Sequence, residues 1–176
     1  MRDWVKAHPG AAAAIVIAGL VVVGLGVYWF GPQRLVLDRE VAEALPTSSP
    51  TPSADAAQTE ESSAGPTELS RGEFRSLEHG TTGVARVVEL EDGSRFVRLE
   101  DLDTSDGPDL RIYLTDQPVS DDWHVWDDGR YVDLGALKGN VGDSNYAIPD
   151  GVDLDGFRTV VIWCRRFTVG FAVAPI

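Results

Sequence analysis

The sequence predicts an all-β domain, an antiparallel β-sandwich or barrel of about eight strands, preceded by one transmembrane helix and a disordered linker. Three observations carry that expectation. Residues Ala11 to Phe30, AAAAIVIAGLVVVGLGVYWF, hold no charge. Residues Pro46 to Pro66 hold no large apolar side chain. From Leu69 to Ile176 apolar residues return in short alternating runs, punctuated by Gly, Pro and Asp about every 8–12 residues, which is the texture of a sandwich or barrel.

The apolar run comes first. Its twenty residues, as a helix rising about 1.5 Å each, span about 30 Å, the thickness of a bilayer's hydrocarbon core. Tyr28, Trp29 and Phe30 stand where an aromatic belt would lie, and Gly31-Pro32 ends the helix. A cleaved signal peptide is the rival, but its apolar region is normally shorter, roughly 7–15 residues, with a small-residue cleavage site soon after. Here the nearest such pattern, Ala42-Glu43-Ala44, lies a dozen residues further on. The expected division is therefore a cytoplasmic tail at 1–10, a helix in membrane lipid at 11–31, a juxtamembrane segment and disordered linker at 32–67, and an extracytoplasmic domain at 68–176. Arg2 and Lys6 balance Arg34 and Arg39 across the helix, and the free amino terminus tips the count towards an inside tail. Localisation in the plasma membrane as a single-pass protein follows.

Between helix and domain, Gln33 to Leu45 reads as a short continuation of helix into water. Pro46 to Pro66, PTSSPTPSADAAQTEESSAGP, cannot bury enough surface to offset its ordering entropy and reads as a flexible stalk. In the domain, residues 83–90 and 95–99 flank Asp92-Gly93, a hairpin signal. Further strands are expected at 109–114, 131–134, 144–148, 157–164 and 167–173, with a weaker first strand at 73–77.

Charge limits the partners. The chain has 15 Lys+Arg against 28 Asp+Glu, a net of −13, and the part from Glu68 onward is itself acidic, with 11 against 21. Such a field repels phosphates, so no nucleic acid is expected to bind.

The runs GEF from Gly72, His79 ahead of TTGVARVV, RLEDLDTSDGPDLRIYL from Arg98, DLGALKGNVGDSNYAIP from Asp133 and FRTVVIWCRRFTVGFAVA from Phe157 occur in order. In these the chain from Gly72 to Ile176 resembles the DM-thirteen domain, an extracellular module to which electron transfer is ascribed. The resemblance implies an all-β domain whose single cysteine, here Cys164, acts in redox chemistry as a naked thiol or as a ligand to a prosthetic group such as haem.

The residues themselves leave several readings open. Cys164 is the only cysteine, so no internal disulfide can form. If its strand continues, Arg166 shares its face and a nearby cation would favour a thiolate. Equally, Cys164 alternates with Val160 and Ile162 on what should be the core face, where a cysteine is a small inert hydrophobe. His79 falls on the family pattern, and thiolate with imidazole would suit haem iron or copper. Covalent haem attachment would want C-x-x-C-H, which is absent. His124 reads as a surface histidine. Asp101, Asp103 and Asp106, like Asp150, Asp153 and Asp155, read as turn residues whose side chains fold back on the backbone. Trp123, Trp126 and Tyr131 form an aromatic cluster beside Asp121, Asp122, Asp127 and Asp128, a small core under a loop or, if exposed, a contact surface. No nucleophile–base pattern suggests a conventional enzyme. The expected function is an electron-transfer or thiol-redox role centred on Cys164, with a redox or cell-surface protein partner; the alternative is a non-catalytic binding module for a protein or glycan.

Overall fold

The computed structural model describes residues 7–30, 38–47 and 65–176. Two compact units account for them, Met1–Leu37 and Asp38–Ile176. In the first, α1 runs Pro9–Phe30. It is apolar on every side, and its length and composition suffice to cross a membrane, a test that an N-terminal signal sequence also passes. Most of the expected linker, residues 48–64, lies outside the described residues, as do residues 1–6 of the expected tail.

Among its described residues the second unit contains ten strands: β1 Glu40–Ala42, β2 Thr67–Glu73, β3 Arg75–Ser76, β4 Thr81–Glu89, β5 Arg95–Thr104, β6 Leu110–Thr115, β7 Tyr131–Ala136, β8 Val141–Ile148, β9 Thr159–Cys164 and β10 Val169–Pro175. They form two five-stranded sheets, in the orders β1-β8-β5-β4-β2 and β3-β10-β9-β6-β7. The expected sandwich is present. Every pairing is antiparallel except β1 with β8, which is parallel.

The stretch Glu40–Ala42 is a strand, where the sequence suggested continuing helix. It has too little apolar surface to be recognised alone, and β8 supplies its hydrogen-bonding partner. The weak strand expected at 73–77 is a corner instead. β2 belongs to the first sheet and β3 to the second, and buried Phe74 lies where the chain changes sheets, its N–H donating to the Gly83 carbonyl at 2.9 Å. Gly72 is required just before, because a Cβ there would run into the backbone of Pro175. The hairpin at Asp92-Gly93 is as expected. Gly93 adopts φ 79°, and the Asp92 carboxylate accepts from the Ser94 N–H at 2.9 Å.

Alternation along the strands sends one set of side chains between the sheets. Ala85, Val87, Val97 and Leu99 meet Ile112, Leu114, Val160, Ile162 and Cys164 there. The outward face of the second sheet is also covered. Tyr113, Val161, Trp163 and Val173 pack beneath Val119, Val125 and Trp126 of the β6–β7 connection. β9 is consequently buried at all six residues. Trp126 is fully buried, and its Nε1–H finds no acceptor among the described residues. Full burial of a large side chain of this kind contributes about 1.5–3 kcal/mol, so this second layer is a real part of the stability.

Gly170 makes room for it. A Cβ at that position would lie 2.7 Å from Trp126 Nε1 and 2.9 Å from Leu77 Cδ1. Gly170→Ala should therefore push the β6–β7 connection off the sheet and cost about 1–3 kcal/mol. Urea unfolding followed by tryptophan fluorescence measures this, and an unchanged midpoint would show that the covering layer is not tightly packed.

Candidate functional site

Cys164 is the last residue of β9, paired with Leu110 on one side and Val169 on the other. The alternation Val160, Ile162, Cys164 delivers its side chain into the core, where it is fully buried. The strand stops there. Residues 165–168 form the turn into β10, closed by the Phe167 N–H donating to the Cys164 carbonyl at 3.3 Å. The cationic face that Arg166 would supply if the strand continued does not form, because the chain turns at 165–168 and both arginines are exposed. Arg165 ends on Asp109, Nε to Oδ2 at 2.9 Å, and its N–H donates to the Asp109 carbonyl at 3.0 Å.

Burial pushes the Cys164 thiol up from its ordinary value. The backbone N–H groups of Phe167, Arg166 and Asp109 pull the other way, and the Asp109 carboxylate adds to the rise. The resting group is a neutral thiol in a closed core, facing three amides that would favour a thiolate if one formed. This convergence of amides comes from the turn and from the start of β6, and no sequence spacing announces it.

His79 lies in the bend between β3 and β4. Its ring packs on Phe171, centroids 3.9 Å apart and inclined 33°, and its Nε2 is 3.6 Å from the Glu78 carboxylate. Phe171 shares the core with Cys164, so both candidates sit against the same packed cluster, with an aromatic ring as the neighbour of the imidazole. A haem or copper site of thiolate and imidazole does not fit this arrangement. Cys164 has no open side, and the His79 ring is packed on Phe171. A pocket of about 210 Å³ elsewhere is lined by Leu69, Ser70, Val87, Leu154, Phe157 and Ile176, with no thiol or imidazole among them.

The remaining candidates separate cleanly. His124 is exposed, with Nδ1 2.6 Å from the Thr168 carbonyl. Asp101 is a bulge residue of β5 at φ 50°, its N–H donating to Asp143 at 2.9 Å. Asp153 caps a turn through the Asp155 N–H at 2.9 Å. Asp106 is buried and accepts two hydrogen bonds from Arg39, each 3.1 Å. Of the aromatic cluster, Trp126 is core, whereas Trp123 and Tyr131 are 42% and 43% exposed. Tyr131 stacks on Tyr113 at 4.9 Å between centroids, and Tyr113 meets Trp163 at 6.1 Å. Three rings thus lead from the surface to the residue preceding Cys164, on the opposite face of β9. Sequence reasoning noted Tyr131 but missed this series, since Tyr113 and Trp163 become neighbours only through strand pairing.

Two outcomes follow for the thiol. A thiol reagent should label native Cys164 at least about 10³-fold more slowly than the denatured chain, since access requires an opening of roughly 4 kcal/mol or more. Because the folded value is raised, the stabilisation from a neutral thiol is complete below the ordinary thiol range, roughly 8.5, and is lost as pH rises through the folded value. Urea unfolding from pH 7 to 10 should show a steeper fall for the wild type than for Cys164→Ala. Fast labelling at neutral pH would contradict the buried placement.

A family model described as "Electron transfer DM13" matches residues 73–176. No curated protein and no solved structure matches the chain. The match covers more than half the chain, including β4 to β10 and the whole environment of Cys164. The chain belongs to the electron transfer DM13 family.

Proposed function

We propose that the chain is a single-pass protein of the plasma membrane, anchored in lipid by α1, whose extracytoplasmic sandwich takes part in electron transfer with Cys164 as its redox group. The observation that carries the electron-transfer reading is the family match over 73–176. Anchorage is supported by the length and apolar character of α1, and the outward placement by the Pro/Ser/Thr-rich composition of 46–66.

The geometry narrows how Cys164 could serve. A fully buried, neutral thiol is a poor nucleophile towards soluble disulfides. Exchange of electrons through the protein is compatible with its burial: in each cycle the Cys164 thiol gives one electron to the acceptor and its proton to solvent, and the thiyl radical so formed takes one electron from the membrane-bound donor and a proton back. The series Tyr131, Tyr113, Trp163 supports that reading, since electronic coupling falls steeply with distance and the rings are near neighbours. The exposed end of the series lies in an acidic region with Asp121, Asp122, Asp127 and Asp128. A protein with a basic contact face is the partner that this charge would steer.

A second reading is a cell-surface binding module without redox chemistry. It is favoured by the exposure of Trp123 and Tyr131 in the same region, amphipathic rings of the kind that anchor interfaces.

One assay separates the two. Cells carrying the chain should reduce a membrane-impermeant one-electron acceptor such as ferricyanide faster than cells without it, with a membrane-bound donor supplying the electrons. Cys164→Ala should abolish the increase, and Tyr113→Leu should lower it while the folded protein persists at the surface. An increase that survives Cys164→Ala would remove the cysteine from the mechanism. No increase at all, with the protein present, would favour the binding module.

A further inference from the structure

The strand β1 is seated by more contacts than its length suggests. Glu40, Val41 and Ala42 lie in register with Val141, Gly142 and Asp143. The Glu43 N–H donates to the Asp143 carbonyl at 3.0 Å, and the Val141 N–H to the Arg39 carbonyl at 3.4 Å. Arg39 forks onto buried Asp106 through Nε and Nη2. Its own N–H donates to Asn140 Oδ1 at 2.7 Å, while Asn140 Nδ2 donates to Asp38 Oδ1 at 2.9 Å. At the other end the Glu43 carboxylate accepts from Lys138 Nζ at 2.8 Å and from the Asn145 N–H at 2.8 Å, and the Glu43 carbonyl accepts from Arg98 at 3.1 Å.

The seat is shaped for a backbone. A Cβ on Gly139 would strike the Arg39 carbonyl and the Val41 side chain, and a Cβ on Gly142, at φ 98°, would strike the Val41 carbonyl. Asn140, fully buried between these glycines, also donates to the Thr104 carbonyl at 2.9 Å. All of the seat lies within the family domain at 73–176, whereas β1 lies outside it.

We infer that the segment Asp38–Ala44 is the grip by which the helix-bearing part of the chain holds the sandwich, so that the tether is residues 31–37 and not the whole stretch from 31 to 66. The occupant of the β8 edge is this chain's own juxtamembrane strand. Its consequence is a much shorter leash. Seven residues, 31–37, extend at most about 25 Å, whereas a connection running from residue 31 to residue 66 could extend roughly 120 Å. This inference rests on the reading of α1 as a membrane anchor.

The test uses the full chain in phospholipid vesicles, with a donor dye on Asp127→Cys and acceptor dyes on the lipid surface. Two insertions of twenty Gly/Ser residues are compared, each adding about 25 Å of root-mean-square reach. One is placed between Arg34 and Leu35, the other between Ala54 and Asp55. The expected result is lower energy transfer for the first and unchanged transfer for the second. In an Arg39→Glu/Glu43→Lys background, which alters only the strand side, the second insertion should also lower transfer. Equal loss from both insertions in the otherwise unaltered chain would overturn the inference, as would unchanged transfer for the second insertion in the charge-reversed background. A chain that fails to partition into vesicles would instead remove the anchor reading, and it is seen before any transfer is measured.

Discussion

The constraint on which the sandwich depends is the burial of β9 on both faces. Thr159 to Cys164 contains no exposed residue. Its inward side chains need the opposing sheet, which is the ordinary requirement of a sandwich. Its outward side chains, Val161 and Trp163, need a second cover, and that cover is the β6–β7 connection folded down with Trp126 at its centre. Without the second cover the outer face of the sheet would be a large exposed apolar patch. The same double burial draws Tyr113 and Trp163 together and places Cys164 in a closed core, so the chemistry open to the cysteine follows from packing before any question of mechanism arises.

Legibility in the sequence followed apolar content. The run Val160 to Cys164 alternates correctly, and the sequence placed Cys164 on the inward face where it is found. Arg166 would share the face of Cys164 only if the strand continued, and residues 165–168 form a turn instead, which changes the neighbours a side chain has. The amides of Phe167, Arg166 and Asp109 around the sulfur were invisible for the same reason, being products of backbone direction and not of residue type. β1 was illegible for a different reason. Asp38 to Glu43 offers one sizeable apolar side chain, Val41, and its binding is carried by hydrogen bonds and ion pairs to residues about a hundred positions away. Gly139-Asn140-Val141-Gly142 was readable as special backbone, yet nothing in the sequence says that the special feature is a seat for another strand.

The cations of the acidic domain are spent internally, and this shapes what can approach it. Arg86 reaches Glu68 and Glu100, Arg98 reaches Glu100 and Asp143, Arg111 reaches Asp133, and Arg165 reaches Asp109. Arg98 is nearly buried on the outer face of the first sheet, directly across from Arg86 and Asn145 in register. Two guanidiniums in adjacent positions would repel, and Glu100 bridges them. Burial works to raise the Glu100 carboxyl, and the hydrogen bonds from Arg98 and Arg86 outweigh it, holding the group below the usual carboxylate range. Arg39 on Asp106 extends the pattern to β1.

Charges paired in this way contribute little field at a distance, because each guanidinium is neutralised by its own carboxylate. The long-range field then comes from acids in excess of these pairs, and the loop carrying Asp121, Asp122, Asp127 and Asp128 has four of them close together. Of these, Asp121 meets a cation, Arg75, in an exposed ion pair of 3.2 Å that solvent screens. The strongest steering of a basic partner is therefore expected at the loop that covers β9 and that carries the exposed end of the Tyr131, Tyr113, Trp163 series. Packing, charge and the aromatic series converge on one face of the second sheet for separate physical reasons, and the proposed electron exchange draws on that convergence and not on the pocket beside Leu154 and Phe157.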